Sequence, residues 1–252
     1  MEKESPQHKA AMAREILRGV VGSTAHGINI AGQDDRDEMG VFVESPAQVC
    51  GLQPFDHSIY RTQPEGVRSG PGDLDQVMYS LRKFARLATA GNPTVLVLLW
   101  LPEYVTKTPL GELLLAARHL FVSQEAGKRF LGYLTGQKSS LLGERALKVQ
   151  RPELVERYGF DTKFAMHALR LGYEGIEYMT EGRLTLPVAE PNLSTLRAVR
   201  QGLVSFPETM ALIEDAEQRL ASLVKDSNRQ ADRQAIDDVL VHIHRSRWDY
   251  LR

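Results

Sequence analysis

The hydrophobic period of this chain changes once, and that change limits the folds open to it. Before residue 80 the apolar runs are short and β-branched. Ile16–Val21 reads as a buried strand ending at Gly22-Ser23, a loop follows over 28–34, and Asp35–Val43 reads as a second strand closed by Pro46. The segment Glu44–Gly72 carries four prolines and four glycines, which predicts loops around a strand near Ser58–Arg61. From Tyr79 the spacing turns helical: Leu81, Phe84, Leu87 and Ala88 recur with Arg82, Lys83 and Arg86 between them, in a helix starting near Ser80. Gly91-Asn92-Pro93 stops that helix, and Thr94–Trp100 begins a second, apolar one whose Val95–Leu101 run belongs in a core. Further helices are expected at about 110–142, 161–180, 192–201, 207–224 and 235–248. The pattern divides into a small α/β unit through about residue 105 and a helical half over 106–252.

Composition narrows the function. The 252 residues allow one large domain or two modest ones, and 42% hydrophobic with 25% charged residues excludes a disordered tail or a fibre. Lys and Arg number 31 against 32 Asp and Glu, so a uniformly basic nucleic-acid coat is excluded. The balance is uneven, however. Residues 31–75 hold nine acidic and three basic side chains, and residues 127–170 hold four acidic and nine basic. The single Cys50 allows no intramolecular disulfide and no cysteine-based zinc site, which fits a reducing cytosol. The polar start Met1–Ala10 does not read as a signal peptide. Val95–Leu101 is only seven residues long, against about 20 for a membrane span. A cytoplasmic protein without a membrane partner is expected.

Chemistry concentrates in Gly22-Ser-Thr-Ala-His-Gly27 and Asp35-Arg-Asp37-Glu-Met-Gly40. Side chains at i and i+2 of a strand share a face, so Asp35 and Asp37 converge and repel unless a cation lies between them. Two hard carboxylates suit Mg²⁺, which keeps positions open for phosphate oxygens. A third acid, Asp73 or Asp75, would complete a two-metal site. Backbone amides at Gly22-Ser23, after a strand, favour phosphate, and the Ser23 hydroxyl adds a donor. His26 could touch a phosphate or cap the loop.

Gly22-Ser23-x-Ala25-x-Gly27, Asp35-x-Asp37-x-x-Gly40 and Phe84 with Gly91-Asn92-Pro93 resemble the nucleotidyltransferases of the DNA polymerase β superfamily, in particular the RNA-ligase-associated group. Lys163-x-x-x-His167-x-x-Arg170-Leu171 is similar to that group's helical-domain signature. The resemblance implies an α+β fold: a polymerase-β-like mixed sheet with helices, residues 1–105 as the catalytic domain, and a helical domain, 106–252, covering the nucleotide and acceptor cleft. It implies transfer of a nucleoside monophosphate from a nucleoside triphosphate such as ATP to a hydroxyl, with two Mg²⁺ (or Mn²⁺) ions and pyrophosphate release. Carried over by motif, Asp35, Asp37 and Asp75 would be metal ligands and catalytic, with Asp75 assisting deprotonation. Gly22, Ser23, His26, Lys163, His167 and Arg170 would bind nucleotide. Asp75 is preferred to Asp73 because Asp-x-x-x-Tyr79-Ser-Leu-x-Lys83 matches the family's lead-in to its helix. Where the family commonly has Ser before the first metal-binding Asp, this chain has Asp34; the spacing to Gly40 favours Asp35 and Asp37.

Lys163, His167 and Arg170, at i, i+4 and i+7, share one helical face. They read either as a phosphate-neutralising stripe or as a solvated face with a partly buried histidine. The basic 127–170 stretch, with Tyr133 and Tyr158 interleaved, favours an RNA acceptor, a tRNA among them, over a protein hydroxyl. His242-x-His244 falls in a helical pattern, where i and i+2 diverge and cannot share a metal. Cys50 has no histidine near it in sequence, so no nucleophile is indicated, and Trp100 is expected to fill the core. Two other classes compete: a non-catalytic, antitoxin-like nucleotide-binding regulator, and a metal-dependent phosphodiesterase or nuclease.

Overall fold

A computed structural model describes residues 5–30, 35–64, 66–67, 69–144 and 151–249. The elements run α1 (Pro6–Met12), β1 (Glu15–Val20), α2 (Gly22–His26), β2 (Arg36–Phe42), α3 (Pro46–Cys50), β3 (His57–Arg61), β4 (Leu74–Ser80), α4 (Leu81–Thr89) and α5 (Pro93–Leu96). A 3₁₀ turn over Val97–Trp100 leads to β5 (Thr106–Lys107) and α6 (Pro109–Ala116), and a second over Ala117–Phe121 precedes α7 (Gln124–Leu141). The remainder is helical: α8 (Pro152–Tyr158), α9 (Thr162–Glu181), α10 (Asn192–Arg200), α11 (Phe206–Asp226) and α12 (Arg233–Asp249). The fold is α+β.

Two compact units divide the chain. The first comprises residues 1–89, 94–121 and 231–252, and the second residues 90–93 and 122–230. In the first, the described strands form one mixed sheet in the order β3-β4-β2-β1-β5. Only β2 and β4 run parallel; the other neighbours are antiparallel. Ala11, Phe42 and Met78 form a buried cluster with Met12 and Phe55 packed against it, and Leu81, Phe84 and Ala88 bury the apolar face of α4. α12 packs on α4, on α6 and on the 3₁₀ turn before α7. A polar joint helps hold it: His244 Nε2 meets Glu44 Oε2 at 3.1 Å, and Trp248 Nε1 donates to the Glu44 carbonyl at 2.8 Å.

The second unit is built on α7, α9 and α11, which pack pairwise, with α10 against α9. Close approach explains the small residues of α9. A Cβ on Gly172 would lie 2.7 Å from Ala216 Cβ, and one on Gly175 would lie 2.7 Å from Leu220 Cδ2. Asp161, fully buried, caps α9 by accepting from the Lys163 and Phe164 amides and pairs with Arg151 Nη1 at 3.0 Å.

Several local expectations are corrected. Residues 74–80, read as the approach to a helix, form β4, and the helix begins at Leu81. The buried face of β4 carries Gln76, Met78 and Ser80, so its alternation is not one of apolar against polar. The helix expected over 110–142 is broken at Val122-Ser123, where the Ser123 side chain accepts from the Ala126 amide and starts α7 afresh. The apolar helix from Thr94 is short and passes into a 3₁₀ turn, although Val95–Leu99 are buried as expected. The elements α1, α3, α8 and β5 add to those anticipated, and Cys50, expected in a loop, ends α3 exposed. Among the described residues no helix is long and apolar enough to cross a membrane.

Candidate active site

Parallel pairing of β2 with β4 puts Asp37 directly beside Asp75 in the register. Neighbouring strands lie about 4.8 Å apart, and like charges facing each other across them are destabilising. Asp35, two residues before Asp37, joins them on the same face. One oxygen from each of Asp35, Asp37 and Asp75 can be chosen so that all lie within 4.8 Å of one another, and all three residues are half-buried. Oxygens sharing a Mg²⁺ at about 2.1 Å are at most about 4.2 Å apart, so a hard divalent cation needs little adjustment of this set. The donors are all carboxylate oxygens, the chemistry suited to Mg²⁺ or Mn²⁺ rather than to zinc or copper.

Asp73 is occupied otherwise. Its Oδ1 accepts from the Thr62 hydroxyl at 3.0 Å and its Oδ2 from the Gly70 amide at 3.0 Å, so it closes the β3–β4 loop. Asp34 lies outside the described residues.

The glycine-serine segment touches the acids. The Val21 amide donates to the Asp37 carbonyl at 2.9 Å, and Gly22 follows with φ 65°. A Cβ there would stand 2.1 Å from Asp37 Oδ2, so glycine alone lets α2 start against that carboxylate. Ser23 lies in the first turn of α2, half-exposed, and His26 ends it at 5% exposure. The sequence motif and the acids therefore meet in space.

On the opposite face of β2, Glu38 is buried and bonded by Arg18, by Arg36 Nε at 2.8 Å and by Gln76 Nε2 at 2.8 Å. Burial pushes this carboxyl up, but the bonds from Arg18, Arg36 and Gln76 outweigh it and hold it below the ordinary value. Because Arg18, Glu38 and Gln76 stand on β1, β2 and β4, this network ties three strands in the register that brings Asp37 beside Asp75. Reading the sequence missed it, and missed Gln63 and Ser69, whose side chains bond Asp75 from the β3–β4 loop at 2.7 and 2.8 Å. Arg61 Nε adds a charge 3.6 Å from Asp75 Oδ1.

Lys163, His167 and Arg170 are the half-exposed positions between Asp161 and Gly172 on an otherwise buried stretch of α9. They lie in the second unit, whereas the acids and α2 lie in the first. Arg170 pairs with buried Glu174 at 2.7 Å. Much of the basic excess nearby is similarly engaged, with Lys138 bonded to Glu217 at 2.8 Å and Arg151 to Asp161. Arg145 and Lys148 lie outside the described residues. Of the two interleaved tyrosines, Tyr133 is 39% exposed beside Lys128 and Arg129. The Tyr158 ring instead fills the space beside Gly202, where a Cβ would lie 2.1 Å from it. Trp100 is half-buried under the Arg118 guanidinium, 4.5 Å from its ring centre. His242 and His244 lie on helical α12, where His244 is bonded to Glu44.

The model of a family described as "RNA repair pathway DNA polymerase beta family" matches residues 2–246. Among curated proteins none matches. Among solved structures, a nucleotidyltransferase-like protein from Exiguobacterium sibiricum 255-15, at 1.90 Å resolution, is similar over 96% of this chain and 73% of that one, with 11% identity and a TM-score of 0.32.

Proposed function

The chain belongs to the RNA repair pathway DNA polymerase beta family, and from that premise we propose that it is a metal-dependent nucleotidyltransferase acting on an RNA hydroxyl. The observation that carries this reading is the convergence of Asp35, Asp37 and Asp75 against the Gly22–His26 turn. In the proposed reaction the acceptor oxygen forms a bond to the α-phosphorus of a nucleoside triphosphate such as ATP. The bond from that phosphorus to the bridging oxygen breaks, and pyrophosphate leaves with the electron pair. Asp75 takes the hydroxyl proton and passes it to solvent, while Asp35 and Asp37 hold the metal set with it. Divalent ions bound there would supply Lewis-acid stabilisation of the attacking and leaving oxygens.

The Gly22 backbone and the Ser23 hydroxyl are assigned to the terminal phosphates, with His26 behind them. Lys163, His167 and Arg170 offer cationic and hydrogen-bonding groups to phosphate. We keep the catalytic role with residues 1–105 and acceptor handling with the helical residues 106–252, in a cytoplasmic setting. No covalent nucleophile is required, so positioning and charge neutralisation carry the rate. RNA is favoured by exposed Tyr133 beside Lys128 and Arg129, since an aromatic face stacks on any base.

The test incubates the full chain with each α-labelled nucleoside triphosphate, Mg²⁺ or Mn²⁺, and a pool of RNA that includes tRNA. Label should enter RNA with release of pyrophosphate, and the Asp35→Ala/Asp37→Ala double variant should lose the activity while keeping its circular dichroism spectrum. Full activity in the double variant would remove the metal assignment. Binding of triphosphate and metal by the wild type with no pyrophosphate release on any acceptor would leave the non-catalytic regulator. Label entering only added protein would move the acceptor from RNA to a protein hydroxyl.

A further inference from the structure

The geometry points to Gln63 and Ser69 as positioning residues for Asp75, an inference that rests on the metal-dependent reading above. Both come from the loop between β3 and β4, a Pro/Gly-rich segment that gives no sequence signal of a site. Gln63 is nonetheless 6% exposed. Its amide nitrogen donates to Asp75 Oδ1 at 2.7 Å and to the Ser69 hydroxyl, which in turn donates to Asp75 Oδ2 at 2.8 Å.

The protons can be assigned in one way that satisfies every bond. A carboxylate only accepts, so the single hydroxyl proton of Ser69 goes to Asp75 and Ser69 must accept from Gln63. The two amide protons of Gln63 are then committed, one to Ser69 and one to Asp75. Turning the amide over would set Gln63 Oε1 against Asp75 Oδ1, acceptor to acceptor. In the bonded orientation Oε1 is buried with no hydrogen-bond partner among the described residues, which is costly. The loop thus commits both donors of this amide to Ser69 and Asp75, on one side of the carboxylate. Each Asp75 oxygen is gripped from the loop, fixing the plane of the group while its remaining lone pairs stay available to whatever Asp35, Asp37 and Asp75 share.

Carboxylates that hold metals are themselves held by hydrogen bonds, and losing such a partner typically costs 10–100-fold in metal affinity or activity. Gln63→Met keeps the length of the side chain and removes both donors. It should weaken Mn²⁺ binding to the full chain, measured calorimetrically, by about tenfold or more. It should also lower kcat for pyrophosphate release while the KM for nucleotide holds. The melting temperature should stay level or rise, because the unpaired Oε1 goes with the amide; a purely structural role would lower it. Ser69→Ala should weaken Mn²⁺ binding in the same direction, and Ser69→Thr, which keeps the hydroxyl, should restore it.

Wild-type Mn²⁺ affinity in Gln63→Met, or a loss matched by an equal fall in thermal stability, overturns the inference. If Gln63→Met does not fold, equal Mn²⁺ binding by Ser69→Ala and Ser69→Thr overturns it instead. The underlying reading fails separately: the Asp35→Ala/Asp37→Ala variant would then bind Mn²⁺ as well as the wild type.

Discussion

Gly22→Ala tests the junction between the glycine turn and the acids more sharply than removal of an acid does. Two penalties add at this position. With φ at 65°, any L side chain sits in the left-handed region, at about 1–2 kcal/mol. The new Cβ would also stand 2.1 Å from Asp37 Oδ2, 2.9 Å from its Cγ and 3.0 Å from its Cβ. Ordinary contact begins at 3.4 Å, so the oxygen must retreat by about 1.3 Å, the difference from 2.1 Å. Rotating the carboxylate away does not relieve the crowding at Asp37 Cβ, so the backbone must yield as well. Overpacking of this kind costs about 1–3 kcal/mol, which brings the expected loss to about 2–5 kcal/mol.

Gly72→Ala is the internal control. It lies in the same compact unit with φ 88°, and a Cβ there meets nothing within 4 Å among the described residues. It should lose only the left-handed penalty of about 1–2 kcal/mol. Both variants share the same gain from a stiffer unfolded chain, about 0.4–1 kcal/mol, so their difference isolates the clash. Urea unfolding followed by circular dichroism reads the stability, and Mn²⁺ titration reads the displaced Asp37. Equal losses in the two variants, with unchanged Mn²⁺ binding by Gly22→Ala, would refute the packing of Gly22 on Asp37.

Three further substitutions test individual charges. Burial pushes the Glu44 carboxyl up, but its bonds to His244 and Ser80 more than reverse this and hold it below its ordinary 4.5. A carboxyl depressed in the folded state stabilises fully above its unfolded value and loses that contribution as pH falls through the folded one. Glu44→Gln should therefore lower stability near neutral pH by about 1–2 kcal/mol, the loss of charge-assisted bonds, and its gap from wild type should close as urea unfolding is repeated below about pH 4.5. Arg170→Met removes the 2.7 Å pair with Glu174, 3% exposed, and should lower stability in the same assay by about 1–3 kcal/mol. Lys163→Met should cost less than about 1 kcal/mol, so a loss of nucleotide binding by that variant reads binding rather than folding.

How much of this was legible depended on whether the information was local. Gly22-Ser23 after a β-branched run, and acids at i and i+2, are statements about neighbours, and the structure brings Gly22, Asp35 and Asp37 together. The partner strand is another matter. Nothing near Asp75 announces that residues 74–80 are a strand, because the face of β4 that enters the core carries Gln76 and Ser80 beside Met78. Asp75 entered through its resemblance to a motif, while its parallel pairing with Asp37 spans 38 positions of sequence. Gln63 and Ser69 were hidden for a related reason: proline and glycine mark the loop between β3 and β4 but say nothing of which polar side chains it turns inward. The basic excess of 127–170 is only partly a surface feature, since Lys138, Arg151 and Arg170 are paired with carboxylates within their own unit.

The string Asp35-Arg36-Asp37-Glu38 looks, as a sequence, like mixed charge that cancels. Strand alternation separates it into two faces with opposite fates. Arg36 turns to the face of Glu38, where Arg18 arrives from β1 and Gln76 from β4, so one buried carboxylate is bonded by two guanidiniums and an amide. Asp35 and Asp37 turn to the other face, where the register of β2 with β4 adds Asp75, and Arg61 of β3 approaches Asp75 at 3.6 Å. Arg36, which stands between Asp35 and Asp37 in sequence, is thus bonded to Glu38. Like charges in adjacent register oppose sheet formation; at Asp75 that repulsion is eased by Gln63, Ser69 and Arg61, whereas one residue further along Glu38 faces the amide of Gln76. A divalent cation held by Asp35, Asp37 and Asp75 would remove the remaining repulsion, and the same step would couple metal affinity to the stability of the β2–β4 pair.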